Sequence, residues 1–158
     1  MTREVIPSGA ALGADVQGID FSKPLNDDDR AFVTQAWNDH LVLRFRDQDL
    51  EDEDLIRLAD EFGGSQVAGS RQYYINAGYD TKSGRVSRLP GITIVSNLDK
   101  DGKPEKENSG TGSSELFWHT DNSYVDNPPK GSILYGIQVP INGGGDTSFV
   151  NQYAAYEE

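Results

Sequence analysis

Apolar residues recur along this chain with two different periods, and each change of period marks an element. Through residue 19, short apolar pieces are broken by Pro7, Gly9, Gly13 and Gly18, which suits brief strands joined by turns. Beyond Asn26, Ala31, Phe32, Val33, Ala36 and Trp37 fall at helical spacing behind Asp27, Asp28 and Asp29, where the helix dipole favours carboxylates. An amphipathic helix to about residue 39 is predicted, and its aromatic residues belong to a core stripe rather than a cofactor box. Residues 41–45 suit a short buried strand, and the acidic stretch 47–54 leads into a second helix with Leu55, Ile56, Leu58, Ala59 and Phe62 on its inner side. Gly63 and Gly64 end it.

The pattern then weakens. Residues 65–90 are polar, with Tyr73, Tyr74 and Tyr79 among Gly, Ser and basic residues, and read either as a mobile segment over a pocket or as plain loop. Residues 92–95 are rich in β-branched side chains and predict a strand, whereas residues 99–114 form a charged, Gly- and Ser-rich insertion expected to be poorly ordered. After Pro128 and Pro129, residues 132–139 partly alternate in polarity and predict a long strand. Gly143 to Gly145 permit a tight turn, and residues 153–158 read as a helix start without a stop signal. The chain is therefore expected to be the amino-terminal part of a longer protein.

Composition narrows the function. The 158 residues suffice for one ordinary domain, and a net charge of -12, from 14 Lys and Arg against 26 acidic residues, opposes a phosphate-binding surface. Nucleic acid and membrane are not expected partners. Without cysteine, any metal must be held by nitrogen and oxygen donors. The amino terminus lacks a signal-peptide layout and no apolar run reaches the ~20 residues of a membrane span, so a cytoplasmic location is expected.

The chemistry concentrates at Phe117-Trp118-His119-Thr120-Asp121. Residues i and i+2 of a strand share a face, so a strand end could aim the His119 imidazole and the Asp121 carboxylate at one point. Together they are two of the three donors of the two-His, one-carboxylate triad that holds non-haem Fe(II) with positions left open. Taken alone, His-x-Asp is more commonly a hydrogen-bonded surface pair. Two other motifs fail: residues 51–54 lack the Gly and Glu that complete a calcium loop, and Gly143 to Gly145 have no following Lys for a phosphate cradle.

Context supports the metal reading. Asn127-Pro128-Pro129, the run 131–140, Gly143-Gly144-Gly145-Asp146-Thr147 and Asn151-Gln152-Tyr153-Ala154-Ala155-Tyr156-Glu157 follow the motif in an order that closely resembles the taurine dioxygenase and dichlorophenoxyacetate dioxygenase family. The resemblance extends to residues 9–16, Gly18-Ile19-Asp20 and residues 40–48, and is looser between Ser65 and Glu115. It implies that His119 and Asp121 are iron ligands and that the Thr147 hydroxyl contacts a carboxylate of 2-oxoglutarate. Glu115 lies near a position that contacts substrate in some resembling enzymes, but it reads more readily as a solvated carboxylate. The family's distal His and the Arg for the far carboxylate of 2-oxoglutarate lie beyond the Gly-Gly-Asp-Thr turn. His40, the remaining histidine here, sits beside apolar residues and is read as packing.

Short strands, two early helices and turn-rich links predict a mixed α+β fold centred on a β-sandwich, and the resemblance makes that a double-stranded β-helix, or jelly roll, incomplete in this chain. The expected layout is a single dioxygenase domain in which residues 1–64 form strands and two helices, 65–115 a lid-like region with one strand, and 116–158 the metal motif and core strands. The implied activity is an Fe(II)- and 2-oxoglutarate-dependent oxygenase that uses O2 to hydroxylate a small organic substrate, releasing succinate and CO2; residues 1–158 alone are expected to be inactive. The alternative is a non-catalytic jelly-roll binding module lacking the distal His. Asp121 argues against a halogenase, which needs a small residue there, and the sequence leaves room for a homo-oligomer.

Overall fold

The computed structural model describes residues 2–67, 69–82, 85–96, 98–99, 101, 103, 118–139, 141–142 and 146–158. Along the chain run β1 (Glu4–Pro7), β2 (Ala14–Gln17), α1 (Asp27–His40), β3 (Leu43–Phe45), α2 (Asp52–Glu61), α3 (Arg71–Asn76) and α4 (Gln152–Glu157). They fall into two compact units, one of Met1–Phe62 with Asn142–Glu158 and the other of Gly63–Ile141. Among the described residues no helix is long and apolar enough to cross a membrane.

In the first unit, β1 pairs antiparallel with β2 and β2 parallel with β3. Parallel neighbours cannot be joined by a hairpin, and α1 is the crossover that joins them. Asn26 starts this helix, its Oδ1 accepting the Asp29 N–H at 2.8 Å, while Asp27, Asp28 and Asp29 occupy the positive end of the dipole. Val33 and Ala36 on α1 and Leu58 on α2 bury against Val16, Ile19, Phe21 and Leu25. Edge-on ring pairs, Phe21 with Phe45 at 4.6 Å and Trp37 with Phe62 at 6.4 Å, extend the core at its flanks. These elements agree with the periodicity of residues 1–64, and α4 agrees with the helix start at the carboxyl end.

Polar side chains hold the segment that leaves β2. Gly18, at φ +80°, lies so close to Thr2 that a Cβ would stand 2.5 Å from its carbonyl oxygen, so no other residue fits. Gln48 Oε1 accepts the Phe21 N–H at 3.0 Å, and its Nε2 donates to the Ile19 carbonyl at 3.1 Å. From α2, Arg57 donates to the Phe21 carbonyl at 2.5 Å and Glu61 accepts the Leu25 N–H at 3.3 Å. Asp15 and Arg44, partners in the β2–β3 register, form a bidentate pair at 2.5 and 2.8 Å, and the Arg44 hydrogen bonds hold the Asp15 carboxyl below its ordinary range.

The second unit differs from expectation. The described part of residues 65–90 holds α3 among mostly exposed turns, with a small buried group at 85–87: Arg85 is 3% exposed, its guanidinium 5.4 Å from the Tyr74 ring centroid and 5.6 Å from that of Tyr79. Arg85 Nε also donates to the Leu98 carbonyl at 2.9 Å, and Arg71 donates to the Ser87 carbonyl. A buried guanidinium flanked by half-buried tyrosines has no apolar periodicity, which is why polarity alone suggested a surface segment. The strand predicted at 92–95 reduces to one bridge, Val86 with Thr93. The strand predicted at 132–139 is absent: those residues form no ladder among the described residues, and Leu134, Ile137 and Val139 are largely exposed. The predicted poorly ordered insertion at 99–114 lies almost wholly outside the described residues.

Two outcomes follow from the first unit. Gln48→Glu keeps an acceptor for Phe21 but sets a carboxylate against the Ile19 and Arg46 carbonyls, which Gln48 now serves at 3.1 and 3.2 Å. The urea midpoint should fall by an equivalent of about 1–3 kcal/mol, the cost of an unsatisfied group at a half-buried site. Asp20 is held from its ordinary 3.8 to about 2 by Lys23, whose Nζ lies 2.8 Å away, and by Ser22. Because the folded value is depressed, this contribution is complete above the unfolded carboxylate pKa and is lost as pH falls towards 2. Carboxyl NMR titration should find Asp20 near 2, moving back towards 3.8 in Lys23→Met.

Candidate metal centre

His119 and Asp121 lie in the second unit, and a turn rather than a strand brings them together. Trp118 bends the chain, residues 119–120 are irregular, and residues 121–124 form a turn. Asn122 takes φ +50°, a left-handed conformation that Asn tolerates better than most side chains. The Val125 N–H approaches the Asn122 carbonyl at 3.4 Å, and Ser123 Oγ lies 3.5 Å from the Thr120 carbonyl. The shared-face expectation is thus corrected in its cause, while the proximity it sought is present: His119 Nε2 and Asp121 Oδ1 are 3.3 Å apart.

That separation tests the donors against a metal. Two ligands at right angles around an octahedral ion with bonds of ~2.1 Å stand ~3.0 Å apart, so the pair is within a few tenths of an ångström of one edge of such an ion. Both side chains are open to solvent, 55% and 72% exposed, so an ion would reach them without displacing core residues. Imidazole nitrogen with carboxylate oxygen suits a divalent transition metal. Among the described residues no third His, Asp or Glu joins them to make a metal-holding group.

The remaining candidates stand elsewhere. Thr147 is exposed in the first unit, on the irregular approach to α4. Glu115, Phe117 and Gly143 to Gly145 lie outside the described residues. His40 ends α1 half-buried, and its backbone carbonyl accepts the N–H groups of Gly13 at 2.8 Å and Val42 at 2.7 Å. Sequence reasoning missed the neighbours of this turn: Gln66 Nε2 donates to the Asn127 carbonyl at 3.3 Å, and a Cβ at Gly69 would stand 3.9 Å from Asn122 Oδ1. Nothing in a polar stretch signalled these contacts; the Asn of Asp121-Asn122-Ser123 was the one legible hint of a left-handed turn.

Comparison with known proteins identifies the family. The family described as taurine catabolism dioxygenase TauD, TfdA family matches residues 4–158. Pentalenolactone F synthase of Streptomyces avermitilis is 34% identical over 94% of this chain and 45% of its own length. The (S)-phenoxypropionate/alpha-ketoglutarate-dioxygenase of Delftia acidovorans is 28% identical over 99% of the chain and 49% of its own. The chain therefore spans about half the length of these relatives. Among solved structures, a taurine dioxygenase from Burkholderia xenovorans is 23% identical with a TM-score of 0.45, covering 57% of this chain and 28% of that one. The structure of AAD-2 with Mn(II) and N-oxalylglycine is 31% identical with a TM-score of 0.39, covering 42% and 26%.

Proposed function

Because the chain belongs to the taurine catabolism dioxygenase TauD, TfdA family, we propose that the protein containing it is an Fe(II)- and 2-oxoglutarate-dependent oxygenase of a small organic substrate, built on a double-stranded β-helix as one domain. The observation that carries the reading is the 3.3 Å approach of His119 Nε2 to Asp121 Oδ1 at the family's motif. His119 offers a neutral imidazole nitrogen and Asp121 an anionic oxygen, so the pair would hold the metal and offset one of its charges. Thr147 would donate its hydroxyl proton to a carboxylate of 2-oxoglutarate. When bound, Fe(II) with 2-oxoglutarate and O2 supplies the oxidising power, with release of succinate and CO2.

The relatives include a phenoxypropionate dioxygenase, a sulfate ester dioxygenase and an alkylsulfatase. A small organic molecule is accordingly the proposed substrate class, with Glu115 facing it. Glu115→Gln should then alter relative preferences in a substrate screen; unchanged preferences would return Glu115 to the solvated surface. A second reading is a binding module without catalysis, whose family-length form would lack the third metal-ligating His. Metal content and succinate production separate the readings.

In an active, family-length form, His119→Ala or Asp121→Ala should abolish iron binding and succinate release while leaving the fold intact, since exposed side chains carry little packing. Turnover retained in both variants would eliminate the assignment. Thr147→Ala should weaken 2-oxoglutarate by about 1–3 kcal/mol, the usual value of a hydrogen bond to a charged group. Residues 1–158 alone, reconstituted with Fe(II) under nitrogen and then given O2 and 2-oxoglutarate, should form no succinate catalytically. Turnover by that chain would mean that His40 or another of its groups completes the site.

A further inference from the structure

The approach to α4 is fastened to the opposite end of the sequence by one side chain. Asn151 Oδ1 accepts the N–H groups of Tyr153 at 3.0 Å and Ala154 at 3.1 Å, capping the helix. Its Nδ2 donates at 2.7 Å to the carbonyl of Ala11, 140 residues earlier in the chain. The anchor is itself ordered: in the β1–β2 connection Ser8 N–H donates to the Gly13 carbonyl at 2.9 Å, Ser8 Oγ donates to the Leu12 carbonyl at 2.7 Å, and the Gly13 N–H reaches the His40 carbonyl at 2.8 Å. Residues 146–150 are exposed and irregular, and among the described residues no other hydrogen bond joins 146–158 to the rest of the first unit.

We propose that Asn151 is a positioning residue for Thr147, holding that hydroxyl where it meets 2-oxoglutarate; the inference rests on the oxygenase reading. Thr147 precedes Asn151 by four residues, a reach of at most ~14 Å of extended chain, so fixing Asn151 on Ala11 confines the hydroxyl relative to the β1–β2 hairpin. A group that orients a ligand contributes through being held in place beforehand. Capping alone does not require asparagine, because Ser or Asp would accept the same two N–H groups. What capping leaves unused is the Nδ2 donor, and that donor makes the bond to Ala11.

Asn151→Asp separates the two roles: the carboxylate still caps α4, favoured by the dipole, but it cannot donate to Ala11. The chain has no cysteine, so Ala10→Cys and Ser148→Cys, both at exposed sites, accept spin labels without competing thiols. In residues 1–158 the label-to-label distance distribution should be narrow with Asn151 and broaden with Asn151→Asp; an unchanged width overturns the proposal without reference to activity. In an active, family-length form, the same substitution should raise KM for 2-oxoglutarate about fivefold, the usual worth of one neutral hydrogen bond, while iron affinity and kcat stay near the parent. Unchanged KM in an enzyme that turns over defeats the positioning role alone. A parent protein that consumes no 2-oxoglutarate defeats the oxygenase reading, and with it the role assigned to Thr147.

Discussion

The parallel pairing of β2 with β3 is the constraint on which the first unit depends. Because such a pair needs a crossover, α1 must lie between the two strands in sequence and bury one face beside them. Val33 and Ala36 supply that face, and Leu58 of α2 closes the same core. Only three residue pairs make up the parallel ladder, too short to fix the chain beyond it. Gln48 extends the pairing with a side chain, taking the Phe21 N–H and the Ile19 carbonyl as a neighbouring backbone would. Arg57 and Glu61 then attach α2 to the same segment, so strand ends and second helix share one set of hydrogen bonds.

What was legible in the sequence follows from where stability resides. Both early helices announced themselves through period and start signals, because an amphipathic helix writes its buried face into local spacing. The first strands could be read from Gly and Pro punctuation, since Gly18 stands where backbone passes backbone. The second unit was opaque for the opposite reason. Its buried residues include Arg85 and Ser87, and its aromatic contacts run from Tyr73 through Tyr74 to Tyr79. A guanidinium buried among phenol rings leaves a composition like that of a solvated loop, and only the contacts reveal the difference.

The strand expected at 132–139 shows a separate limit. Helices satisfy their own backbone, but a strand is a property of a pair, and alternating polarity in one segment says nothing about its partner. Ile137 at 87% exposed and Leu134 at 72% are what such a segment looks like without a ladder. The His119-Thr120-Asp121 motif was visible as a donor set for the same reason that it was misread as geometry. The donor types are local and visible, whereas the left-handed Asn122 that folds the turn around them is a matter of backbone conformation.

The donor pair also bears on metal choice. A bidentate edge of imidazole and carboxylate accepts several divalent ions, and the general order of affinities places iron below copper, nickel and zinc. On the proposed reading His119 and Asp121 would hold a cation without selecting it, and selection would come from coordination number and from what fills the other positions. On that reading 2-oxoglutarate is one such occupant, and Thr147 would act on the co-substrate alone. Asn151 then matters as the link between that hydroxyl and an ordered hairpin, since Ala11 supplies a fixed point that the irregular residues 146–150 lack.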